Sequence, residues 1–373
     1  MVPEAFASSH CTTSAATLGR RPVVSAPSAR RASPSSWSTD AMCRTFIRQS
    51  LGSRGLSQDT ADIIMEALRP ATKKQYFSAL SRWLYFCRRG SIHPIRPTIG
   101  QALNFLTKLF QNGATYSTIN TSRSALSALL CVPNNVDRNF GSHPLVTKFM
   151  KGINNLKPPV PRYSCTWDVN ILLQYISTLE PVTSIPIKSL TYKLVCLCAI
   201  TTGQRAQTLA LFCTDNMSIG ENSVHVRITE TTKTTKTGQK HPLVVLSAYP
   251  TDGTLCVIRT LAAYINRTKK WRQNKTKLFL GYVSPHPEVT PSTISRWLKH
   301  SLHEAGIDTS VFKGHSVRSA CTSAAANQGL TIDKIMQTAG WTRASTFGRF
   351  YHKPITGKST AKEFAQSVLS HAT

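Results

Sequence analysis

Acidic residues are scarce in this chain. Its 373 residues include 17 Asp and Glu against 45 Lys and Arg, a formal net charge of +28. With carboxylates this few and unclustered, two-metal phosphoryl chemistry lacks its usual ligands. Chemistry on phosphate would therefore run without a metal. No P-loop and no Rossmann glycine fingerprint is present, so no cofactor is expected. No apolar run reaches the roughly 18 residues a membrane span needs, and membrane is not an expected partner. The most apolar stretch, Leu190 to Ile200, is short and contains Lys193, which suits a buried helix. Paired cysteines are missing too. The ten are scattered, and the C-x-C of Cys196 and Cys198 fits no zinc knuckle. They read as reduced intracellular thiols filling the core. What the chain has in excess is positive charge, and such a field attracts a polyanion, most commonly nucleic acid.

The length suffices for two cores. Residues 1–54, rich in Ser, Ala, Pro and Arg, lack apolar periodicity and are expected to be disordered. Their arginine pairs, Arg20–Arg21 and Arg30–Arg31, suit a localisation signal or a loose DNA-binding arm, and the composition also fits a transit peptide. Residues 55–157 read as a helical bundle. Tyr76, Leu80, Trp83, Leu84 and Cys87 share one helical face, and Ile99, Leu103, Leu106 and Phe110 repeat the spacing. Further amphipathic stretches lie at Thr118–Leu130 and Leu145–Ile153. Lys73, Lys74, Arg82, Arg88, Arg89 and Arg123 are assigned to the outer faces, where they would meet phosphates. Residues 158–164 fall in the proline-rich "LKPPVPRYS" and read as a linker.

Residues 165–373 read as a second domain, mainly helical with a small antiparallel sheet. In "SVHVRIT", Val224, Val226 and Ile228 alternate with His225 and Arg227, a half-buried strand. "PLVVL" is its partner, and the lysine-rich "TTKTTKTGQK" between them is a hairpin tip. Helices are expected at Asp168–Thr178, Ser189–Thr201, Gly253–Lys269, Pro291–Ala305, Ser316–Gly329, Thr331–Ala339 and Thr342–Tyr351. A short one is possible at Thr360–Leu369. Four features stand out here. Arg205 follows a glycine at the start of an apolar helix in "TTGQRAQTLALF". Lys233 and Lys236 sit on the hairpin tip. In "GHSVRSACTSAA", His315 and Arg318 stand at i and i+3, one turn into a helix that can receive an anion. Trp341 and Tyr351 close the series in "AGWTRASTFGRFYHKP".

Each feature alone is common. Their order, with 23 residues from Arg318 to Trp341 and 10 from Trp341 to Tyr351, resembles the signature of the tyrosine recombinase (phage integrase-like) family. The likeness runs from about residue 70 to the end. The wording "GQRAQTL" and "HSVRSACTSAA" looks most like recombinases of eukaryotic mobile elements, DIRS-like or Crypton-like. The resemblance implies a helical core-binding domain ahead of a DNA breaking-rejoining catalytic domain. It implies a homo-tetramer acting on double-stranded DNA in the nucleus, and integration through a 3′-phosphotyrosine intermediate. Carried onto this sequence, Tyr351 would be the nucleophile, and Arg205 and Arg318 would hold the non-bridging phosphate oxygens. Lys233 would protonate the 5′-oxygen, with Lys236 as the alternative. His315 would serve as base or acid, and Trp341 would contact the phosphate or buttress the site. Thr208 stands where relatives often carry an acid, and Trp341 where they more often carry His. Two other functions share the fold or chemistry: a DNA-binding protein that no longer cleaves, and a type IB topoisomerase without sequence preference.

Overall fold

The structure, a computed structural model, describes residues 36–130, 139–160, 163–230, 241–356 and Leu369. The chain divides into two compact units between Pro159 and Val160. Among the described residues no helix is long and apolar enough to cross a membrane.

The first unit is helical: α1 (Ser36–Gly52), α2 (Gln58–Glu66), α3 (Pro70–Arg89), α4 (Ile99–Gln111), α5 (Tyr116–Leu129) and α6 (Pro144–Leu156). Local chemistry sets the boundaries. Pro70 opens α3 and Gly90 caps it. Thr98 and Gln101 form a reciprocal capping box at the start of α4. Trp83 is fully buried at the centre of the core. Its indole N–H donates to the Pro94 carbonyl at 2.9 Å, and Phe105 meets its ring edge-on at 5.2 Å.

Helix α1 corrects the expectation of disorder through residue 54. Cys43, Phe46, Ile47, Ser50 and Leu51 are buried, a helical spacing that supplies a stripe to the core. The averaged composition of residues 1–54 conceals this stripe, because the Ser/Pro-rich residues ahead of it dominate the window. The basic face is also smaller than expected. Lys74, Arg82, Arg88 and Arg89 are exposed, but Lys73 pairs with Glu66 at 2.7 Å. Arg123 is half-buried, and its Nε has no hydrogen-bond partner.

The second unit holds α7 (Val169–Ser177), α8 (Ile187–Thr202), α9 (Ala206–Ala210), β1 (Met217–Ile219), β2 (Ser223–Arg227) and β3 (Leu243–Ser247). It continues with α10 (Val257–Arg272), α11 (Pro291–Glu304), α12 (Ser316–Asn327), α13 (Ile332–Ala339) and α14 (Ala344–Phe350). The fold is mainly helical with one small antiparallel sheet, in the order β1-β2-β3. Val224 pairs with Leu246 and Val226 with Val244, all four facing the core. His225 and Arg227 point outward. The third strand, β1, was not foreseen: three residues with a mostly exposed pattern carry no alternation to detect. The hairpin tip with Lys233 and Lys236, and residues 360–368 of the expected tail helix, lie outside the described residues.

Helix α8 is the axis of this unit, buried from Leu190 through Ala199 and packed by α10, α11 and α12. The cation within this buried stretch, Lys193, is fully buried. It is held by Glu180 at 2.6 Å and the Leu179 carbonyl at 2.9 Å, while Arg259 forks onto the same carboxylate. Pairing and hydrogen bonding are what let a charge persist there. A separate, smaller apolar cluster lies on α12, α13 and α14. It is built from Ile335, Ala339, Trp341 and Phe347, with Tyr351 against it.

Candidate active site

Two glycines govern how the site's helices approach. Gly203 ends α8 in the left-handed region, φ 58°, a conformation that costs glycine little. The turn sends the chain through Gln204 and Arg205 into α9, and Gln204 ties it to the Thr338 carbonyl at the end of α13 (2.8 Å). Gly314 precedes His315, and a Cβ there would stand 2.5 Å from the Ser295 carbonyl oxygen on α11. Only glycine lets the entry to α12 lie this close. Trp167 fastens the same end, its indole N–H donating to Ser316 Oγ at 2.9 Å.

Five of the six residues singled out in the sequence are described, and they converge. His315 sits at the N-cap of α12, exposed, with Nε2 3.2 Å from the Tyr351 hydroxyl. Arg318, one turn on, is 2 % exposed. Its guanidinium carbon lies 4.3 Å from the centroid of the Trp341 ring and 5.3 Å from that of Tyr351. The Trp341 and Tyr351 rings are 4.6 Å apart. Arg205, at the N-cap of α9, is half-buried and close enough for its charge to act on Arg318. The sixth residue, Lys233, lies outside the described residues, as does its alternative Lys236.

Arg318 gives the cluster its chemical character. Its Nη2 donates to the Ala339 carbonyl at 2.7 Å, while Nε and Nη1 make no well-formed hydrogen bond within the protein. The buried indole Nε1 of Trp341 has no partner either. Among the described residues Arg318 forms no ion pair with a carboxylate, in contrast to Lys193. Burial pushes the guanidinium down to about 10, the charge of Arg205 acts in the same direction, and the Tyr351 phenol opposes them. A buried cation with two unsatisfied N–H edges, beside a third orphan donor, suits a tetrahedral anion carrying several acceptor oxygens.

The backbone beneath the phenol is also secured, by groups the sequence did not point to. Tyr351 caps α14, and its carbonyl accepts two hydrogen bonds, from Ser319 Oγ (2.9 Å) and Ser323 Oγ (2.8 Å). Ser323 Oγ also accepts from the Lys353 N–H at 3.0 Å. Downstream, the Thr166 N–H donates to the Pro354 carbonyl at 2.8 Å and the Thr356 N–H to the Thr166 carbonyl at 2.7 Å, forming a parallel bridge. The available signal was the i, i+4 spacing of Ser319 and Ser323 on the helix that carries Arg318. Their partner is a main-chain carbonyl, which leaves no mark of its own in a sequence.

This fold, with a small antiparallel sheet set in helices and a Tyr–His–Arg–Trp cluster, is that of the tyrosine recombinases. The chain belongs to the phage integrase family, whose model matches residues 168–355. Among solved structures it resembles the XerH site-specific recombinase bound to palindromic difH substrate in a post-cleavage complex, at a TM-score of 0.56 and 13% identity over 80% of each chain. It also resembles the Tn1549 transposon integrase in complex with transposon right end DNA, at a TM-score of 0.51 and 12% identity over 88% of this chain and 99% of that one. Likeness at such identities speaks to fold alone. No curated protein sequence matches the chain.

Proposed function

We propose that this protein is a site-specific DNA recombinase that cuts and rejoins strands through a covalent 3′-phosphotyrosine, in the service of mobile-element integration. One observation carries the proposal: the Tyr351 hydroxyl, 3.2 Å from His315 Nε2, lies beside a buried Arg318 whose Nε and Nη1 make no well-formed hydrogen bond. A phenol with an ordinary pKa of about 10 is a weak nucleophile at neutral pH unless a base and cations attend it. Both are at hand.

In the proposed reaction, Tyr351 Oη forms a bond to the scissile phosphorus as its proton passes to His315. The bond to the 5′-oxygen breaks, and that oxygen leaves as a hydroxyl with a proton from Lys233. Arg205 and Arg318 hold the non-bridging oxygens as charge gathers on them, and the Trp341 N–H adds a donor. The phosphotyrosyl ester conserves the bond, so a second 5′-hydroxyl restores the backbone by the reverse steps. Neither metal nor ATP is needed, because side chains supply the positive charge.

Residues 36–157, with α1 included, would form the core-binding half and 165–373 the catalytic half, gripping double-stranded DNA. A homo-tetramer on two duplexes is the expected assembly. The palindromic difH substrate bound by XerH suits paired subunits. The mobile-element role draws on the motif wording, and nuclear action on the arginine pairs of the N-terminal arm.

A duplex nicked next to the cleavage site tests the function, because its short 5′ fragment diffuses away and traps the covalent protein–DNA adduct. Wild type should accumulate adduct at a defined site, and Tyr351→Phe should give none at unchanged affinity. Equal, background-level adduct from both would mean a DNA-binding protein that no longer cleaves. Relaxation of supercoils without site preference would mean a topoisomerase. A bridging 5′-sulfur, a leaving group that needs no proton, should rescue Lys233→Ala. Rescue of Lys236→Ala instead would move the acid to that position.

A further inference from the structure

We propose that Ser319 and Ser323 are positioning residues for the nucleophile, a two-hydroxyl clamp on the Tyr351 carbonyl that sets where the phenol oxygen meets the phosphate. The inference rests on the recombinase function proposed above.

Both serines are buried, at 2 % and 0 % exposure, and both donate to the same oxygen, at 2.9 and 2.8 Å. A carbonyl at the end of a helix needs some partner, and one donor from solvent or backbone would satisfy it. Here two side chains from a different helix converge on it, and Ser323 closes the far side by accepting the Lys353 N–H at 3.0 Å. The arrangement therefore fixes the direction of the Tyr351 peptide as well as its hydrogen bonding.

The helix that supplies the clamp gives it its consequence. Ser319 directly follows Arg318, and Ser323 lies one turn beyond on α12, whose N-cap is His315. A single rigid element thus bears the phosphate-facing guanidinium, the imidazole at the phenol, and both hydroxyls on the nucleophile's backbone. The phenol is registered against Arg318 through α12 instead of through α14. The latter is a seven-residue helix whose Phe347 packs in the small cluster with Trp341. Misplacing a reacting atom by about 1 Å costs on the order of 10²-fold in rate, so loosening the clamp should slow the chemical step without weakening DNA binding.

The test separates positioning of tyrosine from support of the phosphate pocket. With the nicked duplex, Ser319→Ala/Ser323→Ala should form adduct roughly 10- to 100-fold more slowly in single turnover, at a Kd within about twofold of wild type. The same two changes are then placed in Tyr351→Phe protein, with hydrogen peroxide as the nucleophile. There the hydroperoxide oxygen bonds to phosphorus, the bond to the 5′-oxygen breaks, and that oxygen leaves with a proton from the enzyme. This cleavage depends on the pocket but not on Tyr351, so the serine changes should leave its rate unaltered. A parallel fall in both reactions would make the serines general supports of α12 and overturn the clamp, as would an unchanged adduct rate. Should the double variant melt well below wild type, Ser319→Ala alone, which keeps Ser323 on the carbonyl, carries the same comparison. Absence of adduct and of peroxide cleavage from wild-type and Tyr351→Phe proteins would remove the recombinase function, and the clamp with it.

Discussion

Replacing Arg318 with methionine should leave the protein about as stable as before and remove most of its cleavage activity. The guanidinium is buried without a carboxylate, and its pKa stands at about 10 against an ordinary value of about 12.5. At roughly 1.4 kcal/mol per pKa unit, holding the charge costs the folded state about 3 kcal/mol. That penalty applies in full at every pH below 10. It fades only as pH climbs from there toward the unfolded value, because the unfolded chain then binds more protons than the folded one. Set against it are the hydrogen bond to the Ala339 carbonyl, about 1.5 kcal/mol because its donor is charged, and the contact with the Trp341 face, about 2 kcal/mol because the pair is desolvated. Methionine fills similar space with a flexible apolar chain. The terms nearly cancel, so the melting temperature should stay within about 2–4 °C of wild type, the shift that 1 kcal/mol gives a unit of this size. Adduct formation on the nicked duplex should meanwhile fall by about 10²- to 10³-fold, the usual cost of removing a donor to a developing oxyanion. Thermal unfolding at pH 7 and single-turnover adduct kinetics measure the two effects side by side. An Arg318→Met protein that melts several degrees lower and still cleaves would show the arginine to be a structural strut, refuting both halves of the reasoning.

Trp341→Phe keeps a ring over Arg318 but deletes the buried Nε1 donor. Adduct formation should slow by about 10-fold, the value of one hydrogen bond, and an unchanged rate would limit Trp341 to packing. Gly314→Ala drives a Cβ against the Ser295 carbonyl. It should destabilise the protein by about 1–3 kcal/mol, read as an earlier denaturant midpoint, and an unaltered midpoint would mean that α11 yields easily. Duplex affinity should fall by roughly 10³- to 10⁵-fold between 50 and 200 mM salt if six to ten phosphates are contacted. A flat salt response would mean that the +28 charge is not what holds DNA.

Much of this molecule was legible in its residue order, for identifiable reasons. Long periodic helices announce themselves. The faces of α3 and α4 were visible because Leu80, Trp83 and Leu106 recur at helical spacing. Strand β2 was visible because Val224 and Val226 alternate with polar neighbours. Arg205, His315, Arg318, Trp341 and Tyr351 were picked out by order and spacing, a family-level signal and not a physical one. Their proximity is a tertiary fact that no window of sequence contains. Helix α1 was hidden by its setting, its stripe averaged with a Ser/Pro-rich neighbourhood. Strand β1 is too short to show a period. Ser319 and Ser323 eluded detection because what they hold is a peptide oxygen, which every residue possesses.

The parallel bridge of Thr166 with Ile355 has an architectural consequence. It fastens together the two ends of the stretch that matches the family, residues 168–355, so that stretch begins and ends at one seam. Domains with adjacent termini tolerate transplantation and circular permutation, because a new connection there disturbs little else. The matched stretch is therefore suited to transplantation: new flanking sequence can be added at one edge of the fold, a short walk along the chain from Tyr351.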